Sequence, residues 1–309
     1  MNTQFSAGKN TVTFKSQGVN LSGLLYTPAG FDASKKYSAI VFSGPFNQIK
    51  EQMGAVYGKK MAALGYVFLS FDHLGYGDSQ GELRNNENPF IKMESIRDAV
   101  SYLGTLPFVD NEKLFGLGGC ASGGYMTIVA TTDKRLKAVA TVSGMMDNSG
   151  FYFSSMTKEQ LLPLFKMANA ARQKAYETGK MDYYDALGME NNGPENEGYD
   201  YYMTKRAGKK RYSNYTHLAP MTLMETAPLT SGIAIAPNLY TPYLGIYGEK
   251  ALTGDIATGQ LTIDFYEAAS EPKELFEIKG ATHVSLYDID EDVDRAVARI
   301  NEFFTKYAK

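Results

Sequence analysis

Polar and apolar positions alternate from Thr11 to Lys15 and again from Asn20 to Thr27, with Ser16-Gln17-Gly18 between them. This is the pattern of a β-hairpin with one face buried, and Pro28-Ala29-Gly30 ends it. The pattern then changes. Tyr37 to Ser43, Tyr66 to Phe71, Leu114 to Leu117, Leu136 to Val142, Tyr243 to Tyr247 and Glu274 to Ile278 read as short strands, most of them continuous apolar runs. Continuous runs predict strands covered on both faces, as in a parallel sheet. Between them apolar residues recur at helical spacing: Met53, Val56, Tyr57, Met61 and Leu64, then Ile96, Ala99, Val100 and Leu103. Leu261 to Ala269 reads as a further helix, and Val293, Ala296, Val297, Ile300 and Phe304 mark an amphipathic last one.

Strands alternating with helices predict an α/β fold: a mostly parallel sheet, helices on both faces, and the hairpin as an antiparallel edge. From Asp147 to about Pro237 the alternation stops. That stretch carries the helical segment Lys158 to Thr178, the spacer Asn191-Asn192-Gly193-Pro194, and many tyrosines, among them Tyr152, Tyr201, Tyr202 and Tyr215. It is too long for a simple connection. We therefore divide the chain into a first core part (1–146), an inserted helical cap (147–237) over the carboxyl ends of the strands, and a second core part (238–309).

Composition narrows the function classes. A net charge of −3 gives no electrostatic footprint for nucleic acid. No apolar run approaches a membrane span. A single cysteine excludes an intramolecular disulfide, and Met1 to Asn10 lacks the basic start and apolar core of a signal peptide. A cytoplasmic protein is expected, with a removed signal peptide left open. The expected partner is a small-molecule substrate, without nucleic acid, membrane, cofactor or metal; a homo-oligomer is left open.

The candidate chemistry centres on Gly116-Leu117-Gly118-Gly119-Cys120-Ala121-Ser122-Gly123-Gly124-Tyr125, between a predicted strand and a predicted helix. So many small residues permit a sharp strand-to-helix turn that lifts its apex side chain out of the sheet, a nucleophile elbow. Cys120 stands at the apex with Gly118 and Ser122 flanking it; Ser122 is the rival apex. A lone cysteine is also often a small packing residue. Of three histidines, His283 follows the last predicted strand, at the sheet edge where the elbow opens. It is the expected base. His73 is expected to be a loop residue bonded to backbone, and His217 lies in the cap. An oxyanion hole needs two convergent N–H groups. Ala121 is expected to supply one. The loop after Ser43 supplies the other; Pro45 has no N–H, so Phe46 is the first donor there and Asn47 the second.

With Cys120 preceding His283 in the chain, the elbow and the interrupting cap, the sequence resembles the α/β-hydrolase superfamily. In that superfamily a Val-Asp pair stands at a fixed spacing before the nucleophile, and counting from Val109-Asp110 reaches Cys120. Several phrases are similar to a bacterial branch of dienelactone-hydrolase-like and X-prolyl-peptidase-like hydrolases: Ile49-Lys50-Glu51-Gln52, Phe71-Asp72, Gly77-Asp78-Ser79-Gln80-Gly81-Glu82, Glu87-Asn88-Pro89-Phe90, and Gly280-Ala281-Thr282-His283-Val284-Ser285-Leu286-Tyr287-Asp288. The resemblance implies a Cys-His-acid triad. The wider pattern places the acid in Gly-x-x-Asp, but here Gly248 is followed by Glu249, Lys250 and Ala251. Glu249 is the favoured acid, with Asp255, Asp147 or an acid-free dyad as alternatives. The implied activity is hydrolysis of an ester, thioester or lactone of a small apolar or aromatic molecule through an acyl-enzyme on Cys120. The alternative is a catalytically weak small-molecule binding protein on the same fold.

Overall fold

The computed structural model describes residues 5–254 and 256–308. The hairpin is β1 (Gly8–Ser16) and β2 (Val19–Thr27), paired antiparallel. It is followed by β3 (Tyr37–Ser43), α1 (Met53–Ala63), β4 (Val67–Phe71), α2 (Pro89–Thr105), β5 (Val109–Gly119), α3 (Ala121–Thr132) and β6 (Leu136–Val142). The eight-stranded sheet runs β1-β2-β4-β3-β5-β6 and then takes up β9 (Tyr243–Gly248) and β10 (Lys273–Ile278). From β4 onward each neighbouring pair is parallel.

The burial of each strand follows its sequence pattern. All five residues of β4 are buried, whereas β1 alternates buried with exposed positions toward its carboxyl end. β5 begins at Val109, earlier than its apolar run; Val109 is buried, Asn111 and Glu112 are exposed, and Leu114 to Gly119 are buried again. Two apolar layers cover the sheet. On one face Met53, Tyr57 and Met61 of α1 pack with Val293, Ile300 and Phe304 of the last helix. On the other, Ile96 and Val100 of α2 pack with Val129 of α3 and Phe265. Phe304 stacks on Phe115 of β5 with centroids 4.5 Å apart. Burying such a ring contributes ~1.5–3 kcal/mol.

Between β6 and β9 the chain adds no strand to this sheet. It forms α4 (Asn148–Ser155), α5 (Lys158–Thr178), β7 (Tyr183–Tyr184), α6 (Glu197–Met203), β8 (Ala219–Pro220) and α7 (Gly232–Ile235). β7 and β8 pair only with each other. α5 starts on a capping box between Thr157 and Gln160 and stops at Gly179, which is left-handed at φ 69°. α6 carries Tyr201 and Tyr202 into the core. After β9 come α8 (Gly259–Ala268), β10, α9 (Ser285–Asp288) and α10 (Asp290–Tyr307). Among the described residues no helix is long and apolar enough to cross a membrane.

One group of the similar phrases is structural. Lys50 Nζ lies 2.7 Å from Asp72 and 2.5 Å from Asp78, tying the loop after β3 to the loop after β4. Asp72 is fully buried, and burial raises its pKa to about 6 although Lys50 pulls it down. Removing one partner from such a pair costs ~3–5 kcal/mol.

Candidate active site

β5 ends at Gly119 and α3 starts at Ala121, so a single residue makes the turn. Cys120 has φ 47° and ψ −119°, a left-handed conformation that a side chain adopts only under constraint. Such strain costs ~1–3 kcal/mol and needs surroundings that hold it. Those surroundings are backbone. Cys120 N–H donates to Val142 O at 3.1 Å, and Cys120 O accepts from Gly123 N and Met145 N, both at 2.8 Å. The flanking glycines are required by space: a Cβ on Gly118 would fall on the Ser122 carbonyl, and one on Gly123 would sit 2.8 Å from Gly144 Cα.

The loop after β3 is fixed from two sides. Ser122 Oγ donates to Gly44 O at 2.5 Å, and Asn47 N–H donates to Glu87 Oε2 at 3.3 Å. Asn47 N is thereby occupied and Pro45 has none, which leaves Phe46. The N–H groups of Phe46 and Ala121 both lie beside the Cys120 sulfur and favour its thiolate. Burial pushes the thiol above its ordinary pKa, while the Tyr287 hydroxyl and the two amides beside it act the other way. The start of a helix alone would lower a thiol's pKa; here enclosure outweighs it. Ser122, the rival apex, is fully buried beneath the loop, and its hydroxyl is spent on Gly44 O.

His283 is buried in the loop after β10, with its carbonyl held by Ser143 Oγ at 2.9 Å. Burial lowers its pKa to about 3, so the imidazole is neutral at rest. Nδ1 is 2.6 Å from Thr258 Oγ1, and Nε2 is 2.7 Å from the Tyr287 hydroxyl. Among the described residues no carboxylate bonds this ring. Glu249 therefore does not hold the place expected of it. β9 runs straight into a 3-10 turn there, and the side chain points outward, half-exposed, to Gly280 N at 2.9 Å and Lys279 Nζ at 3.3 Å. Asp147 caps α4 through Gly150 N at 3.0 Å. Asp255 lies outside the described residues.

The other two histidines are elsewhere. His73 is buried and bonds a side chain, Ser43 Oγ at 2.8 Å, not the backbone expected of it. His217 bonds Glu190 in the cap at 2.9 Å. With Asp185 these two bring ligand atoms within 4.8 Å of one another, the spacing of a cation's donors. Glu190 Oε1 is already bonded to His217 and Glu190 N–H to Asp185, at 2.6 Å.

Cys120, His283, Ala121 and Phe46 line one cavity of about 350 Å³. Its walls are mostly apolar, and Tyr152 and Tyr202 belong to them. Glu87 is the carboxylate on this wall among the described residues; it is buried and paired with Lys92 Nζ at 2.7 Å. Tyr76 donates to it as well, at 2.8 Å. Sequence reasoning missed Thr258 and Tyr287. A signal existed for Tyr287, which stands four residues after His283 and hence one helical turn away.

The sheet order, with its antiparallel edge at β1-β2 and its sharp turn after β5, places the protein in the α/β-hydrolase fold class. Sequence comparison narrows the class: the chain belongs to the X-Pro dipeptidyl-peptidase (S15) family, whose signature matches residues 17–206. It is 30% identical to the uncharacterized protein YcjY of Escherichia coli, over 96% of this chain and 98% of that one. It is 35% identical to the uncharacterized protein PA2218 of Pseudomonas aeruginosa, over 90% of this chain and 75% of that one. The crystal structure of PA2218 superposes with a TM-score of 0.81, covering 97% of this chain and 96% of the other. A polyketide transferase of a Penicillium species, grgF, is 27% identical over 94% of this chain and 93% of its own.

Proposed function

We propose that this protein hydrolyses an ester, thioester or lactone of a small apolar or aromatic acid through an acyl-enzyme on Cys120, with His283 as base and then acid. The observation that carries this reading is that Cys120, at the strained turn into α3, shares one cavity with His283 and with Ala121 and Phe46, the two residues whose amides could hold an oxyanion. Two amides aimed where a carbonyl oxygen gains charge are what acyl transfer requires, and removing one such donor typically costs ~10²–10³ in rate. The apolar wall suits an aromatic or aliphatic acyl group. A dipeptidyl-peptidase substrate fits less well. Its terminal ammonium needs an unpaired anion, and Glu87 is neutralised by Lys92.

A second reading, transfer of the acyl group to an alcohol instead of water, is favoured by the enclosure of the thiol and by the similarity to the polyketide transferase. A third, a binding protein without turnover, is kept by the lack of a described carboxylate on His283. One experiment separates them. With p-nitrophenyl esters the hydrolase reading expects a burst, acyl on Cys120 by mass spectrometry, and turnover that iodoacetamide abolishes. Acyl-Cys120 that accumulates until an alcohol is added indicates transfer. No acyl-Cys120, or full activity after complete alkylation, removes the proposal.

A further inference from the structure

The hydroxyl of Tyr287 stands between the two groups that this reaction couples. It lies 2.7 Å from His283 Nε2 and stands beside the Cys120 sulfur on the wall of the same cavity. An imidazole nitrogen offers one bonding direction in the ring plane. With Nε2 committed to Tyr287, the ring makes no direct bond to sulfur. The tyrosine is not a loose neighbour. It is 1% exposed, and its ring meets His283 edge-on at 5.4 Å and Tyr201 edge-on at 5.2 Å. Thr258 holds Nδ1 at the far side of the imidazole. With the resting proton on Nδ1, donated to Thr258 Oγ1, Nε2 is free to accept.

We propose that Tyr287 is a catalytic proton relay between Cys120 and His283. This rests on Cys120 as nucleophile and His283 as base. As sulfur forms its bond to the substrate carbonyl carbon, the thiol proton passes to Tyr287 Oη and the hydroxyl's own proton passes to His283 Nε2. The carbonyl π pair moves onto oxygen, where Ala121 and Phe46 N–H groups hold it. Tyr287 ends the step as a neutral phenol and His283 as an imidazolium. When the carbonyl reforms, the bond to the leaving oxygen breaks, and the proton returns from Nε2 to that oxygen through the same hydroxyl. A tyrosinate never forms, which is necessary because burial raises its pKa well above the ordinary value.

The test uses the full chain, a p-nitrophenyl ester and the Tyr287→Phe variant, which keeps the ring and removes only the oxygen. We expect kcat/KM to fall about a hundredfold, within the range of general acid–base catalysis, with the folded circular-dichroism spectrum retained. A proton inventory in mixtures of H2O and D2O is expected to be bowed for the wild type, from two protons moving together. For the variant it should be straight. Wild-type activity or faster in the variant overturns the relay and makes Tyr287 a block on the direct Cys-His contact. A straight wild-type inventory for acylation overturns it without any variant, so a misfolded Tyr287→Phe leaves the test intact. Acyl-Cys120 is followed by mass spectrometry in parallel. Its absence in the wild type defeats the underlying acyl-enzyme reading, whereas its normal formation with a straight inventory defeats the relay alone.

Discussion

Two hydroxyl chains end on buried histidines on either side of the elbow. In one, Cys120, Tyr287 and His283 run along the cavity wall. In the other, Ser122, Ser43 and His73 run under the loop after β3, with Ser43 Oγ 2.7 Å from Ser122 Oγ and 2.8 Å from His73 Nε2. The residue types are those of a hydrolase in both. Their proton directions differ. Ser122 donates to a carbonyl, Gly44 O, which fixes every proton behind it: Ser43 donates to Ser122, and His73 Nε2–H donates to Ser43. A ring whose Nε2 already donates has no lone pair there to accept a serine's proton, and the chain ends on a peptide oxygen. The second difference is access, since neither Ser122 nor His73 lines the cavity. The same residue types buried beneath a loop become a brace for that loop; facing a cavity, they are placed where a small molecule could reach them.

The largest expected effect separates the two chains. His283→Ala is expected to lower kcat/KM for an activated ester by ~10²–10⁴, as for loss of a general base. His73→Asn, which removes only a brace of the Phe46 loop, should lose less than tenfold. Equal losses in steady-state assays of both variants would erase the contrast.

What the sequence made legible, and what it did not, follows the same division. The strands were readable because burial on both faces leaves continuous apolar runs, and the elbow because backbone crowding admits only small residues around Cys120. His283 was readable from its place after the last strand. Thr258 was not. A threonine before α8 reads as an ordinary cap, yet its hydroxyl makes no cap bond and turns to His283. Glu249 was misread because proximity along the chain says nothing about which way a side chain leaves a 3-10 turn. Proton direction in the His73 chain was invisible, since it depends on a carbonyl brought in from 78 residues away.

A smaller effect concerns acid. Both histidines are held neutral by burial, His283 down to about 3 and His73 well below its ordinary value. Between about 6.5 and 3 the unfolded chain binds a proton at His283 that the folded protein does not, so stability falls as pH falls through that window, by up to ~1.4 kcal/mol per unit. Asp72 works in the opposite direction: with its pKa raised to about 6, the folded form binds the extra proton below that value. The difference between wild type and variant isolates the histidine. In thermal melts from pH 7 to 4, His283→Asn and His73→Asn should each flatten the decline. Parallel curves would mean that both rings are protonated in the folded state.

The smallest effect belongs to Glu249. Glu249→Gln retains an oxygen for Gly280 N, and we expect kcat/KM within about twofold of wild type, well below the general acid–base range. A tenfold loss with a shifted pH profile would return Glu249 to the ring.

The enclosed thiol has a consequence for how the protein ages. Peroxide attacks thiolates, and cysteines that keep a lowered pKa and an open approach are the ones driven to sulfenic and sulfinic acids. Cys120 is half-buried on the wall of a mostly apolar cavity, and those surroundings push its thiol pKa up. The one cysteine of the chain is thereby kept as the less oxidisable thiol by the apolar surroundings that push its pKa up.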